Sequence, residues 1–245
     1  MNDVAKEIAQ IAREKFDYAE VSIEAPGARP ERNWQKIKEL IKKNELKVVG
    51  STDYHLQFAS PWTSVRKASL AEIKKAFPIL ETLGAEFVHV HPDSSAFRDK
   101  GALFELNNEA VRELLEVATK HGLKLMVENG SPHQGGIELI KFLMEKNPRI
   151  YLNLDIGHAN IGVEENLTPK FLKLFGKRLG NVHAHDNDST RDQHLEMGKG
   201  NIDWKKIVNM LKMASYNRTV TFETFNPEGG FVRSKNLFRK MWNER

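Results

Sequence analysis

Hydrophobic and polar positions along this chain follow two periods in turn. Short runs with apolar residues at every second position, the mark of a half-buried strand, alternate with longer runs repeating every three to four, the mark of an amphipathic helix. Val4 to Phe16 is predicted helical, with Val4, Ile8, Ile11 and Ala12 on one stripe. YAEVSIEA follows as a strand, with Ala19, Val21 and Ile23 on one face and Glu20, Ser22 and Glu24 on the other. Further along, the pattern predicts helices over Pro30–Lys43, Ser64–Leu83 (closed by Gly84), Asn107–His121 (closed by Gly122), Gly136–Lys146, 168–177, Ile202–Met213 and Ser234–Trp242. Between them it predicts the strands LKVVGS, EFVHVHPD, KLMVEN, IYLNLDIGH, NVHAH and TVTFETF. Strands alternating with helices predict parallel βα units, an α/β class.

Strand parity sharpens this to a barrel. If Val88/Val90, Leu125/Val127, Leu152/Leu154, Val182/Ala184 and Val220/Phe222 face the helices, the opposite set faces inward. That set is His89/His91, Glu128, Asn153/Asp155, His183/His185 and Glu223. Each strand carries its polar group at the C-terminal end, where TIM (β/α)8 barrels keep their active sites. The pattern yields seven strands and opens on a helix where such a barrel opens on a strand. The first strand is therefore expected to be missing or replaced: either the barrel is open or distorted at that point, or the natural N-terminus lies upstream of Met1, and a hydrophobic lumen edge beside YAEVSIEA would need other cover, such as a partner subunit in a homo-oligomer.

Composition narrows the class. The chain has 245 residues, 40% hydrophobic and 29% charged, which suits one barrel domain over 1–245, since such barrels take about 250 residues. There is no cysteine, which excludes disulfides and thiolate metal sites. The absence of a long apolar run or a cationic-apolar leader predicts a cytoplasmic protein with no membrane partner. The net charge of +4 is spread over helices whose lysines interleave with glutamates, a pattern of solvated faces.

The densest chemistry lies between Asn181 and Trp204, where His183 and His185 on a strand lead into a loop with Asp186, Asp188, Asp192 and His194. Imidazoles and carboxylates this close at one strand end point to a metal site. Glu128, Asp155, His183 and Glu223 form a set of three oxygens and one nitrogen from four strands, suited to Mn²⁺, Mg²⁺ or Zn²⁺. His158, three residues after Asp155, and His194, two after Asp192, offer second ligands from the loops.

The segments VENG, LDIGH, VHAHDND with DQHLEMGKGNIDW, and FET resemble the xylose isomerase-like TIM barrels, which include sugar-phosphate isomerases/epimerases and endonuclease IV (AP endonuclease family 2). In the epimerase branch the resemblance implies one ion held by Glu128, Asp155, His183 and Glu223. In the endonuclease branch it implies a trinuclear zinc cluster that adds His91, His158, Asp192 and His194. The family's remaining histidine, before LQFASP, is Ser51 here, with His55 as a displaced substitute.

Two enzymatic readings follow. The first is a metal-dependent isomerase or epimerase of a sugar or sugar phosphate, working through an enediolate. Glu128 takes a proton, Glu223 returns one, and His185, Glu24, His55 and Trp62 bind substrate. Phe58 offers a further apolar cover, and the Gly135–Gly136 pair a weak phosphate seat. The second is an AP endonuclease hydrolysing DNA with two or three zinc ions, for which Arg29, Arg32, Tyr54 and Arg66 are the nearby rim residues. A third, a non-enzymatic scaffold, conflicts with the intact ligand set.

Overall fold

The computed structural model describes residues 4–29, 32–93, 99–134, 136–225 and 229–244. Among the described residues, seven parallel strands follow one another in chain order, an α/β fold of the TIM-barrel class. The chain divides into two compact units, Met1–Val127 with Phe142–Ile150, and Glu128–Lys141 with Tyr151–Arg245. Among the described residues no helix is long and apolar enough to cross a membrane.

The first unit contains α1 (Val4–Arg13), β1 (Tyr18–Ile23), α2 (Trp34–Lys43), β2 (Lys47–Thr52), α3 (Thr63–Leu83), β3 (Phe87–Val90), α4 (Lys100–Lys120) and most of β4 (Lys124–Glu128). Parity holds residue by residue on β1: Ala19, Val21 and Ile23 are buried while Glu20 and Ser22 are half-buried. Gly84 ends α3 in the left-handed region, φ 80°, where a residue without Cβ carries no steric cost. α4 begins at Lys100 rather than Asn107, because the Asp99 side chain accepts from the Ala102 amide and caps it. α2 begins at Trp34 under an Asn33 cap; Pro30, the expected start, lies outside the described residues.

The segment after β3 is pinned by a helix. Asn107 of α4, fully buried, accepts from the Asp93 amide at 2.9 Å and donates to the Asp93 carbonyl at 3.0 Å and the Leu103 carbonyl at 2.9 Å.

The second unit holds β5 (Tyr151–Asp155), α6 (Thr168–Phe175), β6 (Leu179–Ala184), α7 (Trp204–Met213), β7 (Thr219–Phe222) and α8 (Gly230–Asn243); α5 (Gly136–Lys146) opens in this unit and ends in the first. Gly136 opens α5 at φ 40°, while Gly135 of the expected phosphate seat lies outside the described residues. α7 starts at Trp204, two residues late, because Asp203 is its cap and accepts from the Lys206 amide. α6 stops at Phe175, and residues 176–178 tighten into a 3-10 turn. α8 begins four residues before the expected Ser234.

The register of β5, β6 and β7 sets the site. Asp155 lies beside His183 and His183 beside Thr221, and the Glu223 amide donates to the Ala184 carbonyl just past β7. The parallel ladders therefore bring the expected acidic and imidazole groups to one end of three strands.

The Asn107 contacts generate a stability prediction. Asn107→Ala removes three buried hydrogen bonds, two of them to the Asp93 backbone, and should destabilise the protein by about 1–3 kcal/mol. A denaturant midpoint equal to wild type would show that the clamp contributes nothing.

Candidate metal centre

Glu128, at the end of β4, Asp155, at the end of β5, and His183, inside β6, are 3%, 0% and 1% exposed. The Glu223 side chain, following β7, is 29% exposed. His183 Nδ1 is 3.2 Å from Glu128 Oε2, 3.1 Å from Glu223 Oε1 and 3.9 Å from Asp155 Oδ2. Three carboxylates thus converge on one ring nitrogen. Asn153, one turn of the pleat before Asp155, places Nδ2 2.6 Å from Glu128 Oε2 and 3.0 Å from His183 Nε2. Asn129 holds Asp155 from outside, accepting from its amide and donating to its carbonyl, both at 2.9 Å.

The loops after β5 and β6 build a second cluster. The chain turns sharply past Asp155, whose Oδ1 accepts from the His158 amide at 2.7 Å. A Cβ at Gly157 would lie 2.0 Å from the His185 ring, so this turn admits no side chain. The long loop after β6 is organised by Asp186, fully buried, whose carboxylate accepts from the amides of Asn187, Gly198 and Ile202 and from the Trp204 indole. Gly200 passes so close to Asn187 and Asp186 that a Cβ would sit 2.2–2.6 Å from their atoms. The hydrogen bonds to Asp186 from both ends of the loop fix the segment between them, which carries Asp192 and His194.

His158 donates Nδ1–H to the Asn129 carbonyl at 3.0 Å, and His194 donates Nδ1–H to the Glu223 carbonyl at 3.1 Å. A carbonyl only accepts, so the other nitrogen of each ring is turned to its neighbour. Both Nε2 atoms lie 3.2 Å from the same Asp192 Oδ2. Fully buried His185 approaches Asp155 Oδ1 at 3.0 Å through Nε2, and its Nδ1 has no hydrogen-bond partner among the described residues. Its ring stacks on His194 at 3.9 Å, and His194 stacks in turn on the exposed Phe225 at 4.1 Å.

The charges respond to one another. Burial pushes the Asp155 carboxyl up, but the adjacent His158 and His185 outweigh it and hold it below the usual carboxylate value. Burial also works against His158, yet Asp155, Asp192 and Glu128 together raise it to about 10. Asp192 is held below the carboxylate range, its burial outweighed by hydrogen bonds from His158 and His194. His194 is raised because Asp192, with Glu223 and Asp155, overcomes its desolvation. At neutral pH the metal-free cluster therefore carries a protonated His158 among its carboxylates.

Of the residues singled out in the sequence, Glu128, Asp155, His158, His183, His185, Asp192, His194 and Glu223 come together in the second unit. Ligand-capable atoms of His158, His185, Asp192 and His194 lie within 4.8 Å of one another, as do those of Glu128, Asp155 and His158. The donor set suits a divalent cation: four carboxylates stand among four imidazoles, Glu128 and Asp155 are buried, and the imidazoles of His158 and His194 are oriented by carbonyls behind them.

The other residues belong to the first unit. His91 packs edge-on to His89 at 4.9 Å. Glu24, Asp53 and His55 approach one another within 4.8 Å, and His55 Nδ1 lies 2.9 Å from Asp53 Oδ1. Trp62 is 73% exposed at the start of α3, whereas Phe58 is 1% exposed and packs inside, out of reach as a sugar cover. Ser51 lies 2.9 Å from His89 Nε2. Arg66 donates to the Ser60 carbonyl and Arg29 to the Pro26 carbonyl, the behaviour of an ordinary rim.

The sequence reading gave no role to Asn129, Asn153 or Phe225; it grouped Asp186 with the possible metal ligands, whereas the Asp186 carboxylate is buried and engaged by three loop amides and the Trp204 indole. Asn153 had been placed on the inward face by parity; the others carried no signal beyond their neighbours.

Comparison with known proteins accords with this geometry. Residues 8–241 match the xylose isomerase-like TIM barrel family. The chain is 28% identical to the L-ribulose 3-epimerase of Methylomonas sp. over 98% of its length and 85% of that protein's. It is 29% identical to a probable endonuclease 4 of Halothermothrix orenii over 72% of its length and 71% of that protein's. Among solved structures, a D-tagatose 3-epimerase-like protein superposes with a TM-score of 0.88 at 26% identity, covering 98% of this chain and 93% of the other. With the match spanning nearly the whole sequence, the chain belongs to the xylose isomerase-like TIM barrel family.

Proposed function

We propose that this chain is a divalent-metal-dependent epimerase that moves a proton at the carbon beside the carbonyl of a ketose or ketose phosphate. The observation that carries the reading is that two carboxylates, Glu128 and Glu223, from different strand ends both approach His183 Nδ1, at 3.2 and 3.1 Å. Likeness to the ribulose and tagatose 3-epimerase relatives supports it.

Glu128, Asp155, His183 and Glu223 would hold the ion. When bound, a divalent cation supplies Lewis acidity and a template for adjacent carbonyl and hydroxyl oxygens. Glu128, deeply buried and fixed by Asn153, serves as the base that removes the C–H proton from one face of the sugar. Glu223, in its protonated form, returns a proton to the opposite face of the planar enediolate; the reverse reaction exchanges their tasks. His185, buried against Asp155, fixes that carboxylate. The Phe225 ring, exposed and stacked on His194, offers an apolar face to the sugar. Glu24, His55 and Trp62, expected from the sequence as substrate contacts, lie in the first unit.

A second reading, a multinuclear zinc phosphodiesterase acting on abasic DNA, is favoured by one specific observation. His158 and His194 both turn Nε2 to Asp192 with Nδ1–H pinned to a carbonyl, an arrangement suited to a further ion.

Two experiments decide between these readings. In ²H₂O with Mn²⁺, the protein should incorporate deuterium beside the carbonyl of D-tagatose, D-psicose or L-ribulose, or one of their phosphates. Glu128→Gln and Glu223→Gln should each reduce that rate by about 10²–10⁴-fold. Cleavage of an abasic-site duplex, lost in Glu223→Gln and without sugar exchange, would instead establish the nuclease.

The second experiment counts protons. His158, raised to about 10, is protonated at pH 7 in the metal-free protein. A second ion bound by His158, Asp192 and His194 must displace that proton. Calorimetric titration in buffers of different ionisation enthalpy should show at least one proton released with a second equivalent of Zn²⁺. A second equivalent that binds without proton release lies elsewhere.

A further inference from the structure

Two buried asparagines of this chain grip an aspartate in the same way. In the first unit, Asn107 accepts from the Asp93 amide at 2.9 Å and donates to the Asp93 carbonyl at 3.0 Å. In the second unit, Asn129 accepts from the Asp155 amide and donates to the Asp155 carbonyl, both at 2.9 Å. A backbone N–H only donates and a carbonyl only accepts, so each side-chain amide has one orientation that makes both bonds. Both asparagines are fully buried, so each grip is costly to break. The two aspartates differ in what their carboxylates do. Asp155 is one of the three that converge on His183 Nδ1, whereas Asp93 belongs to the other unit.

Asp155 is the last residue of β5, and the strand beside it has already ended. Along a strand, successive residues turn their N–H and C=O to opposite sides. Ile156 donates to the His183 carbonyl of β6 at 3.1 Å, so the Asp155 amide and carbonyl face away from β6. On that side β4 stops at Glu128. Asn129, the next residue, supplies from its side chain the acceptor and donor that a further ladder residue would have supplied. The chain then turns at once, and the His158 amide donates to Asp155 Oδ1 at 2.7 Å. With the backbone and one carboxylate oxygen held, Oδ2 stands 3.9 Å from His183 Nδ1.

We propose that Asn129 is a positioning residue for the metal centre: it holds the Asp155 backbone at the strand end and so aims that carboxylate at the point where Glu128, His183 and Glu223 meet. The role rests on the metal-dependent reading above. Asn129 is assigned no contact with ion or substrate; its effect passes through Asp155. Asn107 makes the same pair of bonds without a ligand to aim, and contributes stability alone.

Mn²⁺ titration of the full chain and of two variants separates aim from stability. Asn129→Ala and Asn107→Ala should lower the denaturant midpoint to a similar extent. Asn129→Ala should also weaken Mn²⁺ binding by about 10–100-fold, while Asn107→Ala binds as the wild type does. Asn129→Ala equal to wild type in affinity, or both variants weakened alike, overturns the role of Asn129 alone. A crystal structure of the Mn²⁺-loaded wild type needs no variant and should keep both Asn129–Asp155 hydrogen bonds with Asp155 on the ion. An ion held by Asp155 with the Asn129 side chain turned away also overturns the role, even where Asn129→Ala does not fold. Wild-type protein that binds no divalent ion overturns this inference together with the function it rests on.

Discussion

Carboxylates taken out of water repel one another unless positive charge lies among them. In the second unit, Glu128 and Asp155 are buried within reach of His183, and Glu223 and Asp192 approach from the rim. The metal-free protein meets the imbalance with its own imidazoles. His158 is raised to about 10 and His194 is raised with it. A divalent ion answers the same demand with a more compact charge, so in this account protons and metal compete for one pocket. The acidic strand ends, the ring stacking and the tightly turned loops all serve that pocket.

The scaffold behind the charges is polar, buried and nearly saturated with hydrogen bonds. Asp186 gathers four donors and fixes the loop that carries Asp192 and His194. Asn129 holds the Asp155 backbone from both sides, and glycines at 157 and 200 let chain segments approach where a side chain would collide. Such networks fix geometry when fully satisfied. Among the described residues, Asn153 Oδ1 and His185 Nδ1 are buried polar atoms of this site without a hydrogen-bond partner.

Much of this was legible in the sequence, for identifiable reasons. Alternation along YAEVSIEA gave the buried face of β1 correctly, because a strand's period of two leaves no freedom once one face is apolar. The same parity placed His183 and Asp155 on one side, and the register pairs them. Helix starts were less legible. α4 and α7 begin where Asp99 and Asp203 cap them, and the apolar period alone does not register a cap. The second layer of the site was hidden because hydrogen bonds such as Asn153 to Glu128 join residues 25 apart in sequence. Phe58 reads as an exposed loop aromatic yet packs inside, since one residue in a loop carries no periodicity.

Family membership narrows the chemistry without choosing the substrate, for the relatives include both a sugar epimerase and a probable endonuclease. What joins these readings is a cation at the mouth of the strands. A crystal structure from Mn²⁺-containing medium, with anomalous data at the manganese edge, tests this most directly. The account predicts an anomalous peak coordinated by Glu128, Asp155, His183 and Glu223. No peak there, with those four side chains turned away from a common point, would contradict it.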